Sequence, residues 1–261
     1  MKSIVFKNKV PLFKRGHILD KEILDSLRIV PYEFYSLAYN NHVQGIITGI
    51  ELYAEDNFIV INPGIIKFYD FYYRIGEKLK LEIPIEDGDY IIKIKFHNSK
   101  VVELEKYLEY KSEIYLDKNE KLEENEIELG KIRRREGAEI RNTDSFIKLD
   151  KEYNIISEIA KPQSSESGVL LSKQLLQLFI KKINEDKETE LIDDIFSLTV
   201  LSSQVTREAL NLYIYKKLDL DSSRATNEEL YKYLEKIYLT MRESRKVKKS
   251  RIVTKNKMIV E

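Results

Sequence analysis

From Ile46 to Phe96 nearly every segment reads as a β-strand, and the breaks between segments carry turn chemistry. Lys78-Leu79-Lys80-Leu81-Glu82-Ile83 alternates strictly, as does Tyr90-Ile91-Ile92-Lys93-Ile94-Lys95-Phe96 with one slip. A period of two places one face of each segment against a core and the other in water, which is the pattern of half-buried β-strands. Phe58-Ile59-Val60-Ile61 is apolar throughout and belongs in the middle of a sheet. Asn62-Pro63-Gly64 fits a type II turn, with proline fixing φ at the second position and glycine accepting a positive φ at the third. Asp87-Gly88 is a second turn signal. The stretch therefore predicts about five or six short strands in an antiparallel β-sandwich or small open barrel.

After Val169 the apolar period changes from two to 3.6. Leu171, Leu175, Leu178 and Phe179 share a helical face; Leu191, Ile195, Phe196 and Leu198 mark a second helix. Val205, Ala209, Leu212 and Tyr213 mark a third, and Leu230, Leu234, Ile237 and Met241 a fourth, entered through the capping box Thr226-x-x-Glu229. The fold class expected is α+β: an N-terminal β-sandwich or open barrel with short leading helices, then a C-terminal helical bundle. The leading helices are two. Asp20 caps the first, and Pro31 takes the first position of the second. The expected divisions are 1–44 (arm and short helices), 45–160 (β-rich), 161–168 (linker), 169–245 (bundle) and 246–261 (basic tail). The linker rests on Lys161-Pro162-Gln163-Ser164-Ser165-Glu166-Ser167-Gly168. The tail holds eight Lys or Arg and one Glu between Arg242 and Lys257 and is expected to be extended. A longer strand or hairpin follows Phe96, residues 117–126 form a polar connection, and Gly130 marks a bulge because the apolar parity shifts there.

The inventory of chemistry is short. The chain of 261 residues is 43% apolar and 34% charged, with 44 basic and 44 acidic residues, so net charge predicts neither nucleic acid nor membrane as a partner. It has no cysteine, which excludes disulfides and thiolate sites. No run approaches the roughly 18 apolar residues of a membrane helix, and residues 1–16 do not read as a secretory signal. A product made and kept in the cytoplasm is expected, unless an assembly carries it out. His17, His42 and His97 lie far apart with no ligand-like spacing, so no metal or cofactor is expected. Gly45-x-x-x-Gly49 is followed by no Gly-Lys-Ser/Thr and reads as two strand-end or bulge glycines. Ser164, Ser165 and Ser167 have no neighbouring histidine. Glu123-Glu124-x-Glu126 reads as a solvated acidic face.

The aromatic residues are the skewed class. Tyrosine numbers 17, tryptophan is absent, and Phe68-Tyr69-Asp70-Phe71-Tyr72-Tyr73 places five rings in six positions. Alternation sends about half of these to each face, so Phe68, Tyr69, Phe71, Tyr72 and Tyr73, with Phe6 of the N-terminal arm, are the candidate interface residues.

Four segments carry a resemblance: Phe13-Lys14-Arg15-Gly16-His17-Ile18-Leu19, Pro31-Tyr32-Glu33-Phe34, Gly45-Ile46-Ile47-Thr48-Gly49 and above all Ile61-Asn62-Pro63-Gly64-Ile65-Ile66-Lys67. Over about residues 10–100 the chain resembles baseplate and tail-fibre-attachment proteins of contractile phage tails and phage-tail-like bacteriocins from low-GC Gram-positive bacteria. The resemblance implies a non-enzymatic structural part that connects or attaches tail fibres or neighbouring baseplate subunits. Its partners would be other tail proteins, in several copies per particle. The helical half resembles no family. Two competing readings are a nucleic-acid-binding or regulatory protein acting through the basic tail, and an enzyme built from dispersed carboxylates such as a glycosidase, which needs two carboxyls at a set separation across a cleft.

Overall fold

A computed structural model describes residues 15–16, 20–104, 107–185, 189–202 and 205–257, with backbone alone at 98–104, 107–109 and 246–257. The chain divides into two units, Met1–His42 and Val43–Glu261.

The described part of the first unit is chiefly one helix, α1 (Lys21–Ala38). The Asp20 side chain accepts the Ile23 N–H at 2.9 Å, the cap expected from sequence. Two short helices were expected, but α1 runs unbroken through Pro31. An interior proline removes one i→i−4 bond and opposes the turn before it. The remaining bonds on both sides carry the helix past it.

The second unit contains β1 (Gly45–Gly49), β2 (Leu52–Glu55), β3 (Phe58–Ile61), β4 (Gly64–Phe68), β5 (Phe71–Ile75), β6 (Leu79–Glu82), β7 (Gly88–Leu104), β8 (Tyr107–Asp117) and β9 (Glu126–Arg134). Three short strands follow, β10 (Ile156–Ser157), β11 (Gln163–Ser165) and β12 (Gly168–Leu170). The helices are α2 (Lys173–Ile183), α3 (Leu191–Leu201), α4 (Arg207–Leu218) and α5 (Asn227–Lys257), so the unit is α+β with strands leading and helices trailing. The strands form three sheets, ordered β12-β11-β1-β4-β5, β10-β9-β7-β8 and β2-β3-β6. Pairing is antiparallel except between β1 and β11, which run parallel. One apolar core draws on all three sheets, including Ile46, Ile61, Phe68, Ile92, Phe96 and Leu129. Gly130 does mark a bulge: β9 slips register against β7 between Ile92 and Lys93.

The turn at Asn62-Pro63-Gly64 differs from expectation. Gly64 has an ordinary φ and opens β4; the positive φ belongs to Gly49 (+71°) and to Ile50 (+55°). A β-branched residue in the left-handed region is a steric outlier held by its surroundings. Here the chain bends as β1 passes into β2, and its antiparallel partner bends with it as β3 passes into β4, so that Gly49 lies opposite Gly64 and Leu52 opposite Ile61. The Ile50 N–H donates to the Pro63 carbonyl at 3.3 Å. A Cβ on Gly64 would overlap the Thr48 carbonyl and sit 2.7 Å from the Ile50 nitrogen. Gly64 is needed for close approach, not for its φ. Gly64→Ala should therefore cost about 3 kcal/mol, because rigid backbone cannot retreat from the added methyl. Chemical denaturation of the full chain checks this, and a loss below about 1 kcal/mol would show that the two strands can separate to admit the methyl.

The segment 161–168 is no linker. Its backbone builds β11 and the entry to β12, at the edge of the five-stranded sheet. The Ile46 N–H donates to the Pro162 carbonyl at 2.8 Å, the Val43 N–H to Ser165 O at 3.1 Å, and Gln163 Nε2 to Ile46 O at 2.9 Å. Helix-side contacts hold the same segment. Asn227 Nδ2 donates to Lys161 O and Leu170 O, both at 3.0 Å, and Arg207 Nη1 donates to Val169 O at 2.8 Å. A second apolar core joins Phe146, Leu149, Ile155 and Ile159 to residues of α2, α3, α4 and α5. Ile155 thus faces the helical core and Ile156 the sheet core. One extended stretch serves both cores by alternation, which is why no boundary falls there.

The helical period expected from Val169 begins after β12, with α2 starting at Lys173, and side-chain caps open the helices. Ser172 and Thr206 accept the Leu175 and Ala209 N–H groups. The Thr226 N–H donates to Glu229 Oε2 at 2.7 Å, and the Glu229 N–H to Thr226 Oγ1 at 3.3 Å. The expected extended tail is instead helical, since α5 continues to Lys257. Nothing between Asn227 and Lys257 is glycine or proline, and Lys, Arg, Glu and Met propagate a helix once a packed N-terminal half has nucleated it.

Candidate interaction surfaces

The aromatic cluster divides between core and surface. Phe68 and Tyr73 are buried, and both rings pack on Phe96, at centroid distances of 4.1 and 4.6 Å. They are core residues, which corrects their assignment as interface candidates. Register explains it: β4 and β5 pair Phe68 with Phe71 and Ile66 with Tyr73, so Phe68 and Tyr73 share the face that carries buried Ile66, while Lys67 and Tyr72 share the other. Tyr69 and Phe71 are exposed and Tyr72 half-buried, with Phe71 resting 5.0 Å from the Tyr110 ring. Phe6 lies outside the described residues.

Sequence reasoning singled out the strands and passed over the helices, where the larger apolar surface lies. In α3, Phe196 and Val200 enter the helical core beside Asp193 and Ser197. Leu191, Ile195, Leu198 and Leu201 fall on the opposite side, 75, 55, 67 and 62% exposed. Those four positions recur at i, i+4, i+7 and i+10, a continuous stripe on a helix of 3.6 residues per turn. A helix apolar on both sides is ordinarily buried on both. The signal was present in the sequence Leu191-Ile192-Asp193-Asp194-Ile195-Phe196-Ser197-Leu198, but periodicity alone cannot say which of two apolar faces meets the protein's own core. In α4, Leu212 and Tyr215 add two more exposed apolar side chains. The helix α1, taken within its own unit, buries none of its residues, and Leu24, Leu27, Val30, Phe34 and Leu37 are exposed.

Several ionisable groups inside the second unit are tied into closed polar networks. Glu126, read from sequence as solvated, is buried under the strands. Lys93 donates to Asp117 at 2.8 Å and to Lys121 O at 2.8 Å, and its ammonium lies 3.6 Å from Glu126. The Tyr115 hydroxyl donates to Glu126 Oε1, and the Glu123 N–H donates to Oε2 at 2.9 Å. Burial disfavours the Glu126 carboxylate, but the Glu123 N–H, Tyr115 and the two lysines outweigh it and hold its pKa below the ordinary value. Asp193 is wholly buried and receives Tyr213 and Lys217, each at 2.8 Å. Burial first, then the Asp193 charge, pushes the Tyr213 hydroxyl up. His97 meets Glu113 at 2.9 Å. Among the described residues no three His, Cys, Asp or Glu gather as a metal site, and no helix is long and apolar enough to cross a membrane.

No protein-family model matches the chain, and no curated protein matches it. Among solved structures the chain is similar to TssK, at 10% identity and a TM-score of 0.35, over 90% of this chain and 69% of that chain.

Proposed function

We propose that this chain is a structural subunit of a contractile-tail baseplate, held between other subunits and attaching tail fibres or neighbouring baseplate proteins, with no turnover of its own. The observation that carries the reading is the α3 stripe: four large aliphatic side chains, each more than half exposed, on a helix whose other side is already packed. Exposed contiguous apolar surface of this kind marks protein–protein contact. The contractile-tail assignment rests on the resemblance of residues 10–100. Its strongest motifs, around Gly49 and Gly64, form the bend at which β1 passes into β2 beside the start of β4.

Ile195→Glu with Leu198→Glu tests this. Both residues point away from the core, so thermal stability should hold within about 1 kcal/mol. Incorporation into particles, read by mass spectrometry of purified tails from cells carrying the variant, should fall at least tenfold. Normal incorporation would overturn the role of α3, and absence of the wild-type chain from purified contractile particles would overturn the assignment itself.

A further inference from the structure

A cleft of about 290 Å³ opens where β7 and β9, the 149–160 segment and the first turns of α5 meet. Six acids line it, among them Glu128, Asp150 and Glu228, against three bases, Lys131, Arg133 and Lys232. Between these charges the walls carry apolar side chains, Ile91, Leu149 and Ile155 among others.

Glu128 is the unusual member. Only 6% of it is exposed, and its Oε1 has no hydrogen-bond partner. The other oxygen, Oε2, lies 3.8 Å from the Lys131 ammonium, which stands equally far, 3.9 Å, from Glu228. These are loose contacts for a half-exposed lysine, and they leave the inner oxygen unserved. Asp150 Oδ1, in the same cleft, is also buried without a hydrogen-bond partner. Elsewhere in this unit buried carboxylates such as Asp193 and Glu126 collect several donors. An unserved buried acceptor costs its full desolvation penalty and normally signals a missing donor.

We infer that the cleft receives a lysine side chain from a neighbouring protein subunit, its aliphatic stem along the apolar walls and its ammonium donating to Glu128 Oε1 and Asp150 Oδ1. An ammonium carries three N–H groups that can serve separate acceptors, whereas a guanidinium matches both oxygens of one carboxylate. The excess of acids over bases favours a cation, and the apolar walls favour one on a hydrocarbon stem. This rests on the proposal that the chain works among other subunits, but the cleft can be tested on the isolated chain.

The experiment titrates the full chain at pH 8 with Nα-acetyl-lysine N-methylamide, followed by amide chemical shifts. Saturable shifts at residues 128–132, 149–152 and 228–232 are expected. Glu128→Gln and Asp150→Asn should each weaken binding at least tenfold, and the Nε-acetylated probe should not bind. Lys131→Met should bind as well as the wild type or better, because the competing internal ammonium is gone. Absence of saturable binding, equal binding by Glu128→Gln, or loss of binding in Lys131→Met would overturn the inference. So would binding of n-butylammonium with exclusion of the capped lysine, which would make the cleft a site for free amines. Failure here leaves the particle-incorporation result for α3 untouched, so the two proposals fall separately.

Discussion

Lys161→Ala is expected to destabilise the chain by about 3–5 kcal/mol, the range found when one partner of a buried ion pair is removed. Lys161 is 2% exposed, and its ammonium donates to the Ile50 carbonyl at 2.8 Å while facing Glu158 Oε2 at 2.9 Å, off the ideal hydrogen-bond direction. Glu158 Oε1 accepts the Leu52 N–H at 2.9 Å. The pair thus spans the bend between β1 and β2, serving the carbonyl of Ile50 and the N–H of Leu52 on either side of Glu51. Ile50 sits there with a positive φ, a conformation that needs outside support. Removing the ammonium leaves a carboxylate buried without a counter-charge and a strained carbonyl without a donor. Glu158→Gln combined with Lys161→Met should recover part of the loss, to about 1–3 kcal/mol, since no buried charge then remains and Gln can still accept from Leu52. Urea denaturation of the three proteins measures both figures. A Lys161→Ala loss under about 1 kcal/mol would mean that water reaches the site.

Glu128→Gln is expected to have the opposite sign. Burial first pushes the Glu128 carboxyl up to about 7 from an ordinary 4.5, with the Lys131 charge opposing and Glu228 and Glu120 adding to the rise. A carboxyl whose pKa is higher in the folded state holds more protons there between the two values, so its ionisation weakens the fold as pH climbs from about 4.5 through 7. Above pH 7 the full penalty applies, about 3 kcal/mol from the shift. Glutamine never ionises. The variant should match the wild type near pH 4 and be more stable by about 3 kcal/mol at pH 8. Thermal or urea unfolding at the two pH values checks this. Equal stability at both would show that Glu128 is solvated when charged. A carboxylate kept where it weakens the fold fits a site that awaits a cation, since a partner ammonium would remove the penalty on binding.

The sequence by itself determined most elements whose logic is local, the turn at Asn62-Pro63-Gly64, the helix break at Pro31 and the extended tail being the exceptions. Alternation located strands between Gly45 and Arg134, and the capping residues read at Asp20 and Thr226 do start helices. A period of two or 3.6 is a property of neighbouring residues, and a cap is satisfied within four positions, so neither needs the rest of the chain. Tertiary structure alone decided which apolar face meets the core, which is why Phe68 and Tyr73 turned inward and the α3 stripe outward. It also decided that Lys161–Gly168 is a sheet edge, because its partners, Val43, Ile46, Arg207 and Asn227, are remote in sequence and its composition is that of a loop. Glu128 shows the same limit. Alternation put it on the wet face of β9, and only the 149–160 segment and α5, folding back over that face, took the water away.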